Sequence, residues 1–290
     1  IANKKVPLGG KVTKQTCYSL LYKGSYLFLY NLFFYLIVLS TRSIISIYYN
    51  VEEFGTFTLA FTIGNSVLLL LQALSIVVYP KVIDKLKVKD TDIVVGIIDR
   101  LNTDYVTLSY LLMFTALLVF PFFVHFLPEY HGLLGILNIV GLTVLIFTNS
   151  FGHISHLVAW NQERKLARIS LISLLFNIVL AWIFIYGFSM GIRYSSISIL
   201  LTYLVFGTLA SRESSKQTCL RRKLTGNILD IFPIRLLVPY VSALILFLTN
   251  NDGYFIIVVL AFITMNYKEL YRILKTMKSM YLNPDLIDLK

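Results

Sequence analysis

Between residues 24 and 80 two apolar runs flank one short polar break. The first is GSYLFLYNLFFYLIVLSTRSIISIYY, the break is NVEEFG, and TFTLAFTIGNSVLLLLQALSIVVYP closes at Pro80. Each run is long enough to cross a bilayer, for which a helix needs about 20 mostly apolar residues. The pattern recurs along the chain. It predicts spans at roughly 23–46, 55–79, 104–127, 132–159, 166–188, 191–210, 230–249 and 253–272. Lys268, Glu269 and Arg272 give the last of these an interfacial end. The fold class this predicts is an all-α integral membrane protein of about eight transmembrane helices, arranged as one six-helix lobe plus a C-terminal helix pair.

The linkers divide the chain further. Residues 1–22 are a basic lead and 23–210 the six-helix lobe. Residues 211–229 are a polar linker, 230–272 the last helix pair and 273–290 a tail. The stretch 81–103 mixes Ile, Val and Leu with Lys and Asp, which predicts an interfacial amphipathic helix.

Polar residues inside the spans carry the candidate chemistry. Asn31, Tyr35 and Arg42 fall within about 60° of one another at 100° per residue, and Thr58, Thr62, Asn65, Gln72 and Tyr79 form a second stripe. The first and second spans are expected to pack side by side along these stripes. A charge within a spanning helix costs a few kcal/mol on insertion scales, so it normally faces a cavity or a partner. Arg42 has two readings. Its planar fork suits a phosphate or carboxylate in a water-filled cavity. Alternatively it snorkels to the outer interface or pairs with Glu52 or Glu53 across the turn. In the fourth span Asn138, Asn149, His153 and His156 share a face, and Asn177 with Ser170 and Ser173 reads as a polar contact between helices. The His153–His156 spacing has no accompanying carboxylate or cysteine, so no metal is expected.

Charge fixes the expected orientation. The chain is 57% hydrophobic and carries a formal net charge of +11, with mean hydropathy +0.75. If the N-terminus is inside, all but three of the 26 Lys and Arg residues fall on the cytoplasmic side, the exceptions being Arg42, Arg193 and Arg235. Basic short loops on one side are the positive-inside pattern. The charge then reports anionic lipids rather than nucleic acid. Cys17 and Cys219 both fall inside in this threading, so no disulfide is expected. No catalytic motif such as GxSxG, a P-loop or HExxH is present.

The opening hairpin resembles lipid-linked oligosaccharide (polysaccharide) flippases of the Wzx type, within the multidrug/oligosaccharidyl-lipid/polysaccharide exporter superfamily. Thr41-Arg42 stands where that family often has an acidic residue before Arg. Gly55-Thr56-Phe57-Thr58-Leu59-Ala60 is similar to the family's turn-and-helix signal, and Tyr79-Pro80 to its close. The residue at Thr41 departs from the pattern and removes an ion pair. The resemblance implies the C-terminal half of a longer transporter, with spans seven to twelve, two extra helices and a missing N-terminal lobe as partner. It implies a flippase and not an enzyme, with no cofactor. The cargo would be a polyprenyl-pyrophosphate-linked oligosaccharide, as in O-antigen or exopolysaccharide assembly. Alternating access would carry it across the cytoplasmic (inner) membrane, with both termini cytoplasmic. Arg42 would hold the pyrophosphate. Asn31, Tyr35, Thr62, Asn65 and Gln72 would meet the sugars, with His153 a further cavity residue. Two alternatives remain open. A membrane polysaccharide polymerase or acyltransferase calls for a large external loop or a His/Arg set. A multidrug extruder calls for an apolar cavity with an intramembrane acid.

Cysteines placed in the turns at 50–54 and 128–132 are expected to react with impermeant maleimide from outside intact cells. Labelling from the cytoplasmic side alone would reverse the topology.

Overall fold

The computed structural model describes residues 14–86, 91–126, 132–217 and 231–282. These residues form α-helices with short π and 3₁₀ turns and no strand. The helices are α1 (Lys14–Tyr48), α2 (Val51–Leu86), α3 (Thr91–His125), α4 (Leu133–Thr148) and α5 (Phe151–Ala159). They continue as α6 (Glu163–Trp182), α7 (Ile197–Gln217), α8 (Ile234–Leu248), α9 (Phe255–Met265) and α10 (Tyr267–Leu282).

The predicted linkers set the helix ends. Asn50 caps α2 reciprocally: Glu53 N–H donates to Asn50 Oδ1 at 2.8 Å, and Asn50 N–H donates to Glu53 Oε2 at 3.3 Å. This is a capping box, and it places Glu52 and Glu53 where the helix dipole favours negative charge. α4 and α5 are two parts of one candidate span, joined where Asn149 and Ser150 N–H reach back only three residues, to Ile146 O and Phe147 O. α6 ends in a π turn at Ile183–Gly187, where Phe188 N–H donates to Ile183 O at 3.0 Å.

Five helical stretches are long and apolar enough to cross a membrane, and a bent pair brings this to six. They are Leu20–Tyr48, Gly96–His125, Leu133–Ala159, Glu163–Gly187 and Ile192–Lys216. α2 runs 36 residues, but most side chains in 68–85 are outside the described set. The chain is thus an all-α protein of the multi-pass membrane class. Its outward-facing side chains fit that class. On α1 the exposed Tyr22 and Tyr48 lie about 39 Å apart at 1.5 Å rise per residue. A bilayer with its headgroup regions is about 40–45 Å thick, and tyrosines favour both of its interfaces. Between them Leu27, Phe28, Leu32 and Leu39 are exposed. Trp182, Tyr186 and Phe188 continue the aromatic belt beside Tyr48, with the Tyr48 and Tyr186 rings 5.5 Å apart.

The two ends of the bundle differ. Asn50, Gly132, Arg193 and Asp252 meet at one end around a single cavity. At the other, Lys23 Nζ donates to Asn161 Oδ1 at 2.8 Å and Trp160 Nε1 donates to Leu86 O at 2.8 Å. The same end holds Lys165 and Lys216 beside Glu213, Arg235 beside Glu269, and Arg272 beside Asp104. The described inter-helix turns fall at these two ends.

One continuous core joins α1–α4, α7, α8 and α9, with Phe57, Phe61, Tyr110, Phe114, Phe247 and Phe262 fully buried in it. Close approach replaces bulk at two points. A Cβ on Gly64 would lie 3.2 Å from Val140 Cγ1, and one on Gly141 would lie 3.0 Å from Leu117 Cδ2. Small residues at such crossings let membrane helices pack backbone to backbone.

Three expectations change. α1 packs chiefly on α6 and α2 chiefly on α4, so the first two helices touch near their shared turn and are not paired along their length. The eighth predicted span is broken: α9 and α10 meet at 68°, because Asn266 side-chain bonds interrupt a straight path. The stretch predicted as an interfacial helix at 81–103 instead extends α2 to Leu86 and opens α3 at Thr91, with residues 87–90 outside the described set. The fourth-span polar residues make contacts between helices, each with a different neighbour. Asn138 bonds Asp252, Asn149 bonds Tyr110 of α3, and His156 bonds Ser214 of α7.

Asn177 ties three helices together. Its Nδ2 lies 2.9 Å from both Ile37 O and Thr41 Oγ1 and 3.1 Å from Ser40 Oγ, and its Oδ1 accepts from Thr202 Oγ1 at 3.2 Å. Asn177→Ala is expected to lower stability by about 1–2 kcal/mol, seen as a lower thermal midpoint in detergent. Ser43→Ala is the control, because Ser43 is exposed and bonds only within α1, to Leu39 O. Equal midpoints for the two variants would mean that the interlock does not stabilise the bundle.

Candidate functional site

Arg42 occupies a particular flank of α1. At 100° per residue, the positions of α1 facing α6 and α7 lie together and Arg42 lies beyond them, toward α2. Ile37, Ser40 and Thr41 meet Asn177 of α6. Tyr30 and Phe34 stack near Phe206 of α7, with centroids at 6.2 and 5.3 Å. The Arg42 guanidinium carbon lies 5.2 Å from the Phe61 ring centroid of α2. That is a cation–π contact across the mouth of the α1–α2 hairpin.

The surroundings give this charge no counterion. Arg42 is partly buried, its Nε is buried without a hydrogen-bond partner, and no ion pair joins it to Glu52, Glu53 or any other described carboxylate. The pairing across the turn is therefore absent, since Glu53 is engaged with Asn50. The phenols of Tyr35 and Tyr203 are close enough to act on its charge. Tyr203 is buried against Phe34 and Phe147, at centroid distances of 5.1 and 5.8 Å.

The predicted site residues separate into groups. Asn31 and Tyr35 are exposed on the same flank of α1 as Arg42, and Asn31 Nδ2 donates back to Leu27 O at 2.9 Å. Thr62 and Asn65 are exposed on α2, where Thr62 Oγ1 donates to Thr58 O at 2.8 Å. Thr58, Thr62 and Asn65 lie on the side of α2 that continues round from Phe61. The side chain of Gln72 lies outside the described set, as do those of Tyr79 and Pro80. His153 is not part of this exposed flank. It is 5% exposed on α5, a helix packed among α2, α3 and α7. What the arrangement can do is bind. A half-buried fork with free donors, flanked by hydroxyl and amide side chains on two helices, suits an anionic group joined to a polar one. Among the described residues no three His, Cys, Asp or Glu side chains gather as a metal site.

Sequence reasoning missed two partners. Phe61 and Tyr203 are apolar-pattern residues on other helices, and only their three-dimensional placement beneath Arg42 reveals them. It also missed the cavity of about 540 Å³ at the turn end, lined by Asn50, Glu52, Glu53, Thr56, Arg193 and Asp252 among others. There Arg193 donates to Asn250 Oδ1 and Phe247 O, and it lies directly on Gly135, where a Cβ would be 3.0 Å from its Cζ.

Comparison of the chain with protein-family models, with curated proteins and with solved structures finds no match.

A partly buried charge without a counterion does not stabilise a fold. Arg42→Met, which keeps length and drops charge, is expected to leave the thermal midpoint in detergent unchanged or raised. A fall as large as that of Asn177→Ala would assign Arg42 a structural role instead.

Proposed function

We propose that this chain is one lobe of a transporter that flips a polyprenyl-pyrophosphate-linked oligosaccharide across the cytoplasmic membrane. In this reading both termini are cytoplasmic. A facing lobe completes the cavity, and the two lobes alternate between inward and outward openings. One observation carries the reading: Arg42 keeps a permanent charge inside the candidate span Leu20–Tyr48, half-buried over Phe61, with no counterion among the described residues. A missing anion on the ligand accounts for that cost. The exposed amides and hydroxyls of Asn31, Tyr35, Thr62 and Asn65 flank it and supply the hydrogen bonds that sugar hydroxyls require.

The roles follow from the chemistry. Arg42 holds the pyrophosphate by paired N–H···O bonds. The polar stripes of α1 and α2 receive the first sugars. The polyprenyl tail remains in lipid beside the exposed apolar surface of the bundle. The proposal assigns no catalytic step and no cofactor.

Direct binding tests it. The purified chain in detergent is titrated with a fluorescent polyprenyl-pyrophosphate saccharide and with the same lipid lacking its pyrophosphate. The first should bind and the second should bind weakly. Arg42→Ala should weaken binding about tenfold or more, the equivalent of ~1.5–3 kcal/mol for a charged hydrogen bond. Arg42→Lys should retain an intermediate affinity, because it keeps charge but loses the fork. Equal affinity of Arg42→Ala and the parent would overturn the assignment.

A further inference from the structure

α10 turns away from α9 by 68° and runs along the end of the bundle that carries the basic residues. The bend is held in place. Asn266 Nδ2 donates to Arg235 O at 3.2 Å and to Phe262 O at 2.9 Å. Arg235 pairs with Glu269, Arg272 pairs with Asp104 of α3, and Ile273 is buried. These contacts fix one side of α10 against the protein.

Counting round α10 at 100° per residue, the other side divides into two sectors. Tyr267, Tyr271 and Leu274 form a stripe within about 60°, and they are 60%, 70% and 65% exposed. Lys268, Arg272 and Lys275 form a second exposed stripe about 100° away. The one acid between residues 267 and 275, Glu269, points to Arg235 and leaves the exposed sectors cationic. An aromatic–aliphatic stripe flanked by Lys and Arg is the composition of a helix lying in a membrane interface. Lys and Arg there gain from an anionic headgroup layer.

We propose that α10 is an interfacial helix that binds the anionic surface of the bilayer. Tyr267, Tyr271 and Leu274 sit at the boundary of headgroups and acyl chains, and Lys268 and Lys275 contact anionic headgroups. The Arg235–Glu269 and Arg272–Asp104 pairs transmit this seating to α8 and α3. The proposal concerns the bilayer and not the cargo, so it stands or falls separately from the transport reading.

The test uses the full chain. Spin labels are placed by Lys268→Cys, Tyr271→Cys and Leu274→Cys, each in a background with Cys17→Ser and Cys219→Ser. Vesicles are equimolar phosphatidylglycerol and phosphatidylcholine. Labels at 271 and 274 should be relaxed by oxygen and shielded from an aqueous nickel chelate, and the label at 268 should behave in the opposite way. In native mass spectrometry the parent should retain phosphatidylglycerol over phosphatidylcholine. Lys268→Gln with Lys275→Gln leaves the Arg272–Asp104 pair intact and should lower phosphatidylglycerol affinity about tenfold. Nickel accessibility at 271 and 274 equal to that at 268 would overturn the proposal. So would equal retention of the two lipids by the parent.

Discussion

In a bilayer the apolar face of α1 gains little by leaving lipid for protein, because the two are similarly apolar. What positions α1 is instead the Asn177 amide, which meets Ile37 O, Ser40 and Thr41 on α1 and Thr202 on α7 at once. These bonds set the rotation of α1. A turn of one residue would move every α1 side chain by about 100°, breaking the Asn177 contacts and carrying Arg42 off Phe61. The site on α1 is therefore a consequence of a buried polar contact on its other side. The same contact explains why Thr41 holds no charge. It is fully buried and already serves as a partner of Asn177. A carboxylate there would exchange a satisfied hydroxyl for a buried anion, which costs several kcal/mol unless paired.

α2 is governed differently. It rests on α4 through Gly64 and Val140, a steric contact in place of a polar one. Because α1 is held by α6 and α7 while α2 is held by α4, the two diverge from their shared turn. The hairpin thus opens a flank on each helix near the membrane-facing surface. Polar residues on both flanks stay exposed: Asn31 and Tyr35 on one, Thr62 and Asn65 on the other. Had the two helices packed side by side, those residues would have bonded to each other and left nothing for a ligand.

Much of the class was legible in the sequence because it depends on one-dimensional quantities. Apolar run length fixes which stretches can span, and turn residues such as Asn50 and Glu53 mark their ends. The helical period placed Asn31, Tyr35 and Arg42 on one flank, and it read Asn177 as a contact between helices. Pairing between helices was not legible. Nothing in a hydropathy pattern distinguishes α1 on α6 from α1 on α2, since both partners are equally apolar. The break at Asn266 was also hidden, because the composition before it remains apolar; it divided a predicted span into α9 and α10. The burial of His153 among α2, α3 and α7 was hidden for the same reason as the helix pairing.

The balance between fold and site turns on where polar groups find partners. The inward-facing polar side chains of α6 and α7 at Asn177 and Thr202 are matched, and they act as fasteners. Arg42 is the opposite case: its charge is fixed, its Nε is buried without a partner, and its surroundings are a phenyl ring and two phenols. A phenyl face compensates a guanidinium by only about 0.5–2 kcal/mol, less than the cost of holding the charge at membrane depth. The remainder must come from water reaching the open flank or from an anion that occupies it. Water alone would serve a lysine or an uncharged residue equally well. Under the proposed function that anion is the phosphate of the ligand, which a planar fork with donors left over suits.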